Sequence, residues 1–258
     1  RGSGVWAPAG MSMDATGRVF VATGNSTPLG GSTPGSLGEF VLRLGTGADG
    51  PSFAMDDMAA QFSPSDARNL DLQDLDIGSV APMVLPGSPT RVVQGGKAGT
   101  VYLLDGDNLG GTTPVFSSRV CSGGIFGAMA GWSNGTDTFA FVPTRGTRSG
   151  CSGSNGVMAL RVAGGSMFSA AWCTASVSAP NPPAVSSNGN SDGVLWVTGA
   201  STGIGNTPVL RAYEISTGME VYGNTTPPPS VRQWVPPVVA DGRVYVTGAS
   251  SVYMYRMQ

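Results

Sequence analysis

The chain has 258 residues, 40 of them Gly and 19 Pro, with 12% charged side chains and a net charge of −2. That length can bury roughly three quarters of the unfolded surface, while the composition excludes a basic nucleic-acid-binding face and long solvent-exposed helices. With no histidine, a Ser-His-Asp triad, a His-ligated zinc and an imidazole base are excluded within this chain, and no apolar run approaches the ~18 residues of a membrane span.

From the N-terminus, the first strong element is Arg18-Val19-Phe20-Val21-Ala22-Thr23-Gly24, a β-branched and aromatic run bounded by glycine. Phe40-Val41-Leu42-Arg43-Leu44 follows it as a second strand-like run. The pair then recurs. Ser79-Val80-Ala81-Pro82-Met83-Val84-Leu85 precedes Arg91-Val92-Val93-Gln94, with Thr100 to Asp105 after it. Thr138 to Phe141 is followed by Val157 to Val162, and Val194 to Gly199 by Val209 to Tyr213. Finally Trp234 to Val239 leads into Arg243-Val244-Tyr245-Val246-Thr247-Gly248 and Val252 to Tyr255.

Aligning Phe20, Val93, Ala140, Trp196 and Tyr245 gives spacings of 73, 47, 56 and 49 residues. This is a blade period with one long insertion. The predicted fold is therefore all-β: a β-propeller of four-stranded antiparallel blades, about four and a half of them present. The last blade ends after its third strand, so the chain reads as one incomplete propeller over residues 1–258, with one or more upstream blades missing or on another chain. The glycine-rich run Val197 to Gly205 imitates a dinucleotide-binding turn, but a strand pattern follows it, where that chemistry needs a helix.

Three cysteines are too few for a metal knuckle. In a propeller the connection into a blade and the loop between its second and third strands share one end, which predicts a Cys121 to Cys151 disulfide and leaves Cys173 free or paired elsewhere. Asn25, Asn134 and Asn224 each begin an Asn-x-Ser/Thr acceptor, so glycans are expected partners if the protein is secreted.

The stretch from Gly4 to Gly111 resembles the PQQ-dependent alcohol dehydrogenase superfamily, including its polyvinyl-alcohol-dehydrogenase-like and non-catalytic quinoprotein-repeat members. The resemblance rests on Gly4-Val5-Trp6-Ala7-Pro8, Val21 to Asn25, Asp74-Leu75-Asp76-Ile77-Gly78-Ser79 and Gly95 to Asp105, in the family's order. It implies that Trp6 floors the quinone, Asn25 ligates calcium, Asp74 is the catalytic base and Lys97 hydrogen-bonds the quinone oxygens. Each role suits its chemistry: an aromatic plane for a flat ring, oxygen for a hard cation, a carboxylate for an alcohol proton and a fixed positive charge for a reducible quinone. Two departures stand out. No tryptophan precedes Asp74, so Asp76 is an equal match, and the family's glutamate ligand and vicinal cysteine pair would lie upstream.

Two functions remain open. One is a secreted, extracellular or periplasmic binding or assembly module with a vestigial quinone site and no cofactor, whose partners are other proteins or its own missing blades. The other is a PQQ- and calcium-dependent alcohol or polyol dehydrogenase. In the first, Asn25 faces solvent and carries a glycan; in the second, its side-chain oxygen meets calcium. A third reading, carbohydrate binding at exposed Trp132, Trp196 or Trp234, competes with a role for these residues in the blade core.

Overall fold

The computed structural model describes residues 3–6, 10–26, 37–47, 50–199, 207–223 and 228–256. Its strands form five antiparallel sheets in chain order. The first holds β1 (Ser12–Met13), β2 (Val19–Ala22), β3 (Val41–Gly47) and β4 (Gly50–Ser52), with β5 (Gln61–Phe62) also paired to β3. The second holds β6 (Met83–Val84), β7 (Arg91–Gln94), β8 (Thr100–Asp105) and β9 (Phe116–Arg119). The third comprises β10 (Ala130–Ser133), β11 (Thr138–Thr147), β12 (Ser154–Ala163) and β13 (Met167–Cys173). The fourth comprises β14 (Ala184–Asn188), β15 (Ser191–Gly199), β16 (Val209–Glu214) and β17 (Glu220–Tyr222). Three strands make the fifth: β18 (Val238–Ala240), β19 (Arg243–Thr247) and β20 (Val252–Arg256). Up-and-down sheets following one another in this way are propeller blades.

The reason the repeated phrases are apolar at nearly every position lies in the side-chain period of two. Along β11, Phe139 and Phe141 pack with Leu195 and Val197 of the fourth blade, whereas Ala140 and Val142 pack with Val93 and Leu103 of the second. Both faces of a middle blade are therefore core. The same alternation joins the first blade to the second through Phe20, Val41 and Phe62 against Val92 and Leu104. On β19, Val244 and Val246 pack against Trp196 and Leu210 of the fourth blade. The other face of the fifth sheet is open: Val238 pairs with Tyr245 and Tyr245 with Met254, and both Val238 and Met254 are exposed.

Trp132 and Trp196 are blade core, each 6% exposed. The glycine-rich run from Val197 extends over residues 200–206, which lie outside the described residues, and emerges into β16 rather than a helix. A short helix, α1 (Ala67–Leu72), occupies part of the long insertion between the first two blades.

The disulfide differs from expectation. It joins Cys151 to Cys173, with Cα atoms 6.2 Å apart, and Cys121 is a buried free thiol. Antiparallel pairing of β12 with β13 sets Met158 opposite Cys173, bringing the end of β13 beside the loop that precedes β12. Cys121 does share that end, pairing backbone to backbone with Arg148, but its Sγ turns inward to the Gly124 carbonyl at 3.5 Å.

Candidate functional site

Three connections meet at one end of the first two blades. The Gly4 carbonyl accepts from Gly24 N at 2.9 Å, and Ser3 bridges Ser26, fixing the strand that carries Trp6 against the connection leaving β2. The turn Asp76 to Ser79 then packs onto Thr23 and Gly24 so closely that a Cβ on Gly78 would stand 2.6 Å from Gly24 N. Only glycine fits there. The third connection, Gly95 to Gly99, is joined to this turn by Lys97 N donating to the Asp76 carbonyl at 3.0 Å.

Five predicted residues converge at this junction. Lys97 Nζ lies 4.7 Å from the centroid of the Trp6 ring, a cation–π distance. The same ammonium pairs with Asp74 Oδ1 at 2.9 Å and with Asp76 Oδ2. Asn25 Nδ2 donates to Asp74 Oδ1 at 3.0 Å, and Asn25 N donates to Asp76 Oδ1 at 2.7 Å. The two carboxylates divide their work. Asp76 is fully buried and ties two connections together, whereas the Asp74 side chain is 69% exposed and sits in the left-handed region at φ 57°. Half of the Trp6 surface is open as well.

The hydrogen bonds from Lys97 and Asn25 hold the Asp74 carboxyl below its ordinary pKa. Burial pulls the Lys97 ammonium down, but its pairs with Asp76 and Asp74 outweigh that and raise it. Both groups are thus ionised at neutral pH. Beneath them lies Glu39, which sequence reasoning missed. It is fully buried at φ 60°, accepts from Ile77 N at 2.7 Å through Oε2, and has no hydrogen-bond partner at Oε1. Burial, against the Ile77 hydrogen bond, raises its pKa to about 7. Asp71 was missed too; it accepts Ser26 N and Oγ, each at 2.7 Å. Its signal was an acid inside the apolar face of a helix too short to show a period.

Asn25 is half-buried, and its Oδ1 is buried without a hydrogen-bond partner. Its neighbour Ser26 is buried, and Thr27 lies outside the described residues. Nδ2, the atom to which a glycan would attach, donates to Asp74 on the exposed side of the residue. Asn134 sits in a turn, where its Oδ1 accepts Thr136 N at 2.8 Å and Asp137 N at 2.7 Å. Asn224 is outside the described residues. Among the described residues, no group of three acidic or cysteine side chains is arranged to hold a metal ion, and no helix is long and apolar enough to cross a membrane.

No family model and no curated protein matches the chain. Solved structures do. The chain is similar to the quinohemoprotein alcohol dehydrogenase of Comamonas testosteroni, with a TM-score of 0.58 and 14% identity over 95% of this chain and 44% of that one. It is also similar to the β-propeller domain of Cps50 (Swd1) from Myceliophteria thermophila, with a TM-score of 0.56 and 10% identity over 93% and 67%. BamB from Moraxella catarrhalis gives 0.50 and 16% over 93% and 55%. The chain thus spans about half the length of two of these three. At such identities the likeness establishes the β-propeller fold and leaves the chemistry to the site itself.

Proposed function

We propose that the junction of Trp6, Asn25, Asp74 and Lys97 is the quinone-contacting part of a PQQ- and calcium-dependent site that oxidises an alcohol or polyol. The observation that carries this reading is the convergence of these side chains, far apart in sequence, with Lys97 bridging Trp6 and Asp74. Asn25 Oδ1, buried without a hydrogen-bond partner, suits one oxygen ligand of calcium. Since that ion takes six to eight oxygens, the others would come from the quinone and from groups beyond this cluster.

Bound PQQ supplies the two-electron acceptor. The chain's own residues do the rest. Trp6 offers an open aromatic face for a flat ring. Lys97, kept protonated by two carboxylates, directs its charge at quinone oxygens. Asp74 is reachable from solvent and ionised, the state from which a base accepts a hydroxyl proton; buried Asp76 positions Lys97 and Asn25. Titrating the chain with PQQ in the presence of calcium, followed by tryptophan fluorescence, tests the assignment. Saturable quenching is expected, weakened about tenfold or more by Trp6→Ala. Absence of saturable binding to the wild-type chain would end it.

A second reading, a secreted binding or assembly module, draws on a different observation: the uncovered apolar row Val238, Tyr245 and Met254 on the fifth sheet. Such a face suits further blades of the same protein or another protein partner. The Cys151 to Cys173 disulfide suits an extracellular or periplasmic location. Under this reading the chain fails to bind PQQ, and Asn25 and Asn134 are positions at which a glycan is expected.

A further inference from the structure

The strap from Gly123 to Phe126 links the Lys97 turn to a second cation. Ile125 N donates to the Gly96 carbonyl at 3.0 Å, and a Cβ on Gly124 would stand 2.6 Å from the Lys97 carbonyl. On the strap's other side, Arg145 N donates to the Gly124 carbonyl at 3.0 Å, and Gly123 N donates to the Arg145 carbonyl at 2.8 Å. The Arg145 guanidinium then rests in a notch between two rings, 4.7 Å from the centroid of Phe126 and 4.7 Å from that of Trp234. The rings themselves are 5.6 Å apart.

This notch is built. Trp234 holds φ 69°, a conformation that a bulky residue keeps only when its surroundings enforce it. The enforcing group is Asn181, fully buried, whose Oδ1 accepts Trp234 N at 2.8 Å while its Nδ2 donates to the Arg232 carbonyl at 3.0 Å. Arg145, by contrast, has no ion pair and no side-chain hydrogen bond among the described residues, and its Nη2 is buried without a partner. Residues 143–156 carry two arginines and no acid. Burial alone lowers the Arg145 pKa, with no carboxylate close enough to oppose it. Stacking on the rings leaves the donors of the planar fork other than buried Nη2 for a carboxylate to meet in a charge-assisted hydrogen bond.

We infer that Arg145, clamped by Phe126 and Trp234, receives a carboxylate of the ligand bound at Trp6 and Lys97. This rests on the preceding reading for the ligand's location, and on Arg145 alone for its charge. Two sources share the chemistry: a carboxylate of the quinone itself, or one on the alcohol being oxidised.

The first test titrates the 258-residue chain with benzene-1,3,5-tricarboxylate, followed by tryptophan fluorescence and calorimetry, in the wild type, Arg145→Met and Arg145→Lys. Saturable binding is expected in the wild type, with a loss of about tenfold or more in Arg145→Met and a smaller loss in Arg145→Lys, which keeps the test alive if the methionine variant does not fold. Equal affinity in wild type and variants, or no saturable binding at all, overturns the inference. Titration with PQQ and calcium separates it from the preceding reading, since loss of PQQ binding with tricarboxylate binding retained ends the quinone site and leaves Arg145 in place. Where PQQ binds, weakening by Arg145→Met identifies the quinone's carboxylate. Unchanged PQQ affinity with a tenfold selective loss of glycolate over ethylene glycol identifies the substrate's. If neither changes, Arg145 binds no ligand carboxylate.

Discussion

Lys97, in the connection between β7 and β8, and Arg145, near the end of β11 in the next blade, each sit 4.7 Å from an aromatic centroid. Their second partners differ. Lys97 has two carboxylates, one of them fully buried, whereas Arg145 has none among the described residues. Lys97, half-buried and paired, both ties its loops together and keeps its charge fixed beside Trp6, whereas Arg145, stacked on rings, has no carboxylate of the described residues to hold it. The difference separates a charge fixed in place by carboxylates from one fixed by rings alone, although the two look alike from their aromatic contacts.

The sharpest way to break this comparison is to remove each cation in turn. Lys97→Met strands Asp76 as an uncompensated buried charge, which costs about 3–5 kcal/mol; urea denaturation should register it as a fall in midpoint at unchanged slope. A smaller effect concerns Glu39, whose folded pKa of about 7 lies above its ordinary 4.5. The native state then holds a proton that the unfolded chain has released, so stability declines as pH rises from about 4.5 to about 7 and levels off above. Glu39→Gln keeps the acceptor for Ile77 N and removes that decline: its melting temperature should match wild type near pH 4 and exceed it by roughly 3 °C at pH 8. The smallest change is expected for Arg145→Met. It preserves apolar contact with Phe126 and Trp234 while deleting a desolvated charge, and should shift stability by less than about 1 kcal/mol in either direction. A large loss of stability in that variant would mean that Arg145 is as structural as Lys97.

How much of this was legible follows from how locally each feature is encoded. Strands such as β2, β7, β11 and β15 were readable because both faces are buried, which makes their sequences dense in apolar residues; β19 buries one face and was readable because its phrase repeats that of β2. The two-residue strands β1 and β6 carry little pattern of their own, and β1 went unseen. Within the site, Trp6, Asn25, Asp74 and Lys97 were found through resemblance, and the fold brings them together. What sequence could not divide was Asp74 from Asp76, since burial, not spacing, makes one the anchor and the other the accessible group. The cysteine pairing failed for a related reason. Sharing an end of the propeller is necessary for contact, but the side chain of Cys121 turns into the core between the second and third blades. Arg145 offered only a faint signal, two arginines in an acid-free hairpin, and its ring partners come from connections 19 residues before and 89 after it.

The open face of the fifth sheet has a consequence for how the molecule comes apart. Each apolar cluster joins one sheet to the next, so cohesion runs along the chain of blades through nearest neighbours, as in linear repeat arrays. A middle blade is gripped from two sides; β18, β19 and β20 are gripped from one. Amide protons of β19 should therefore exchange with solvent through a local opening that leaves β11 and β12 protected.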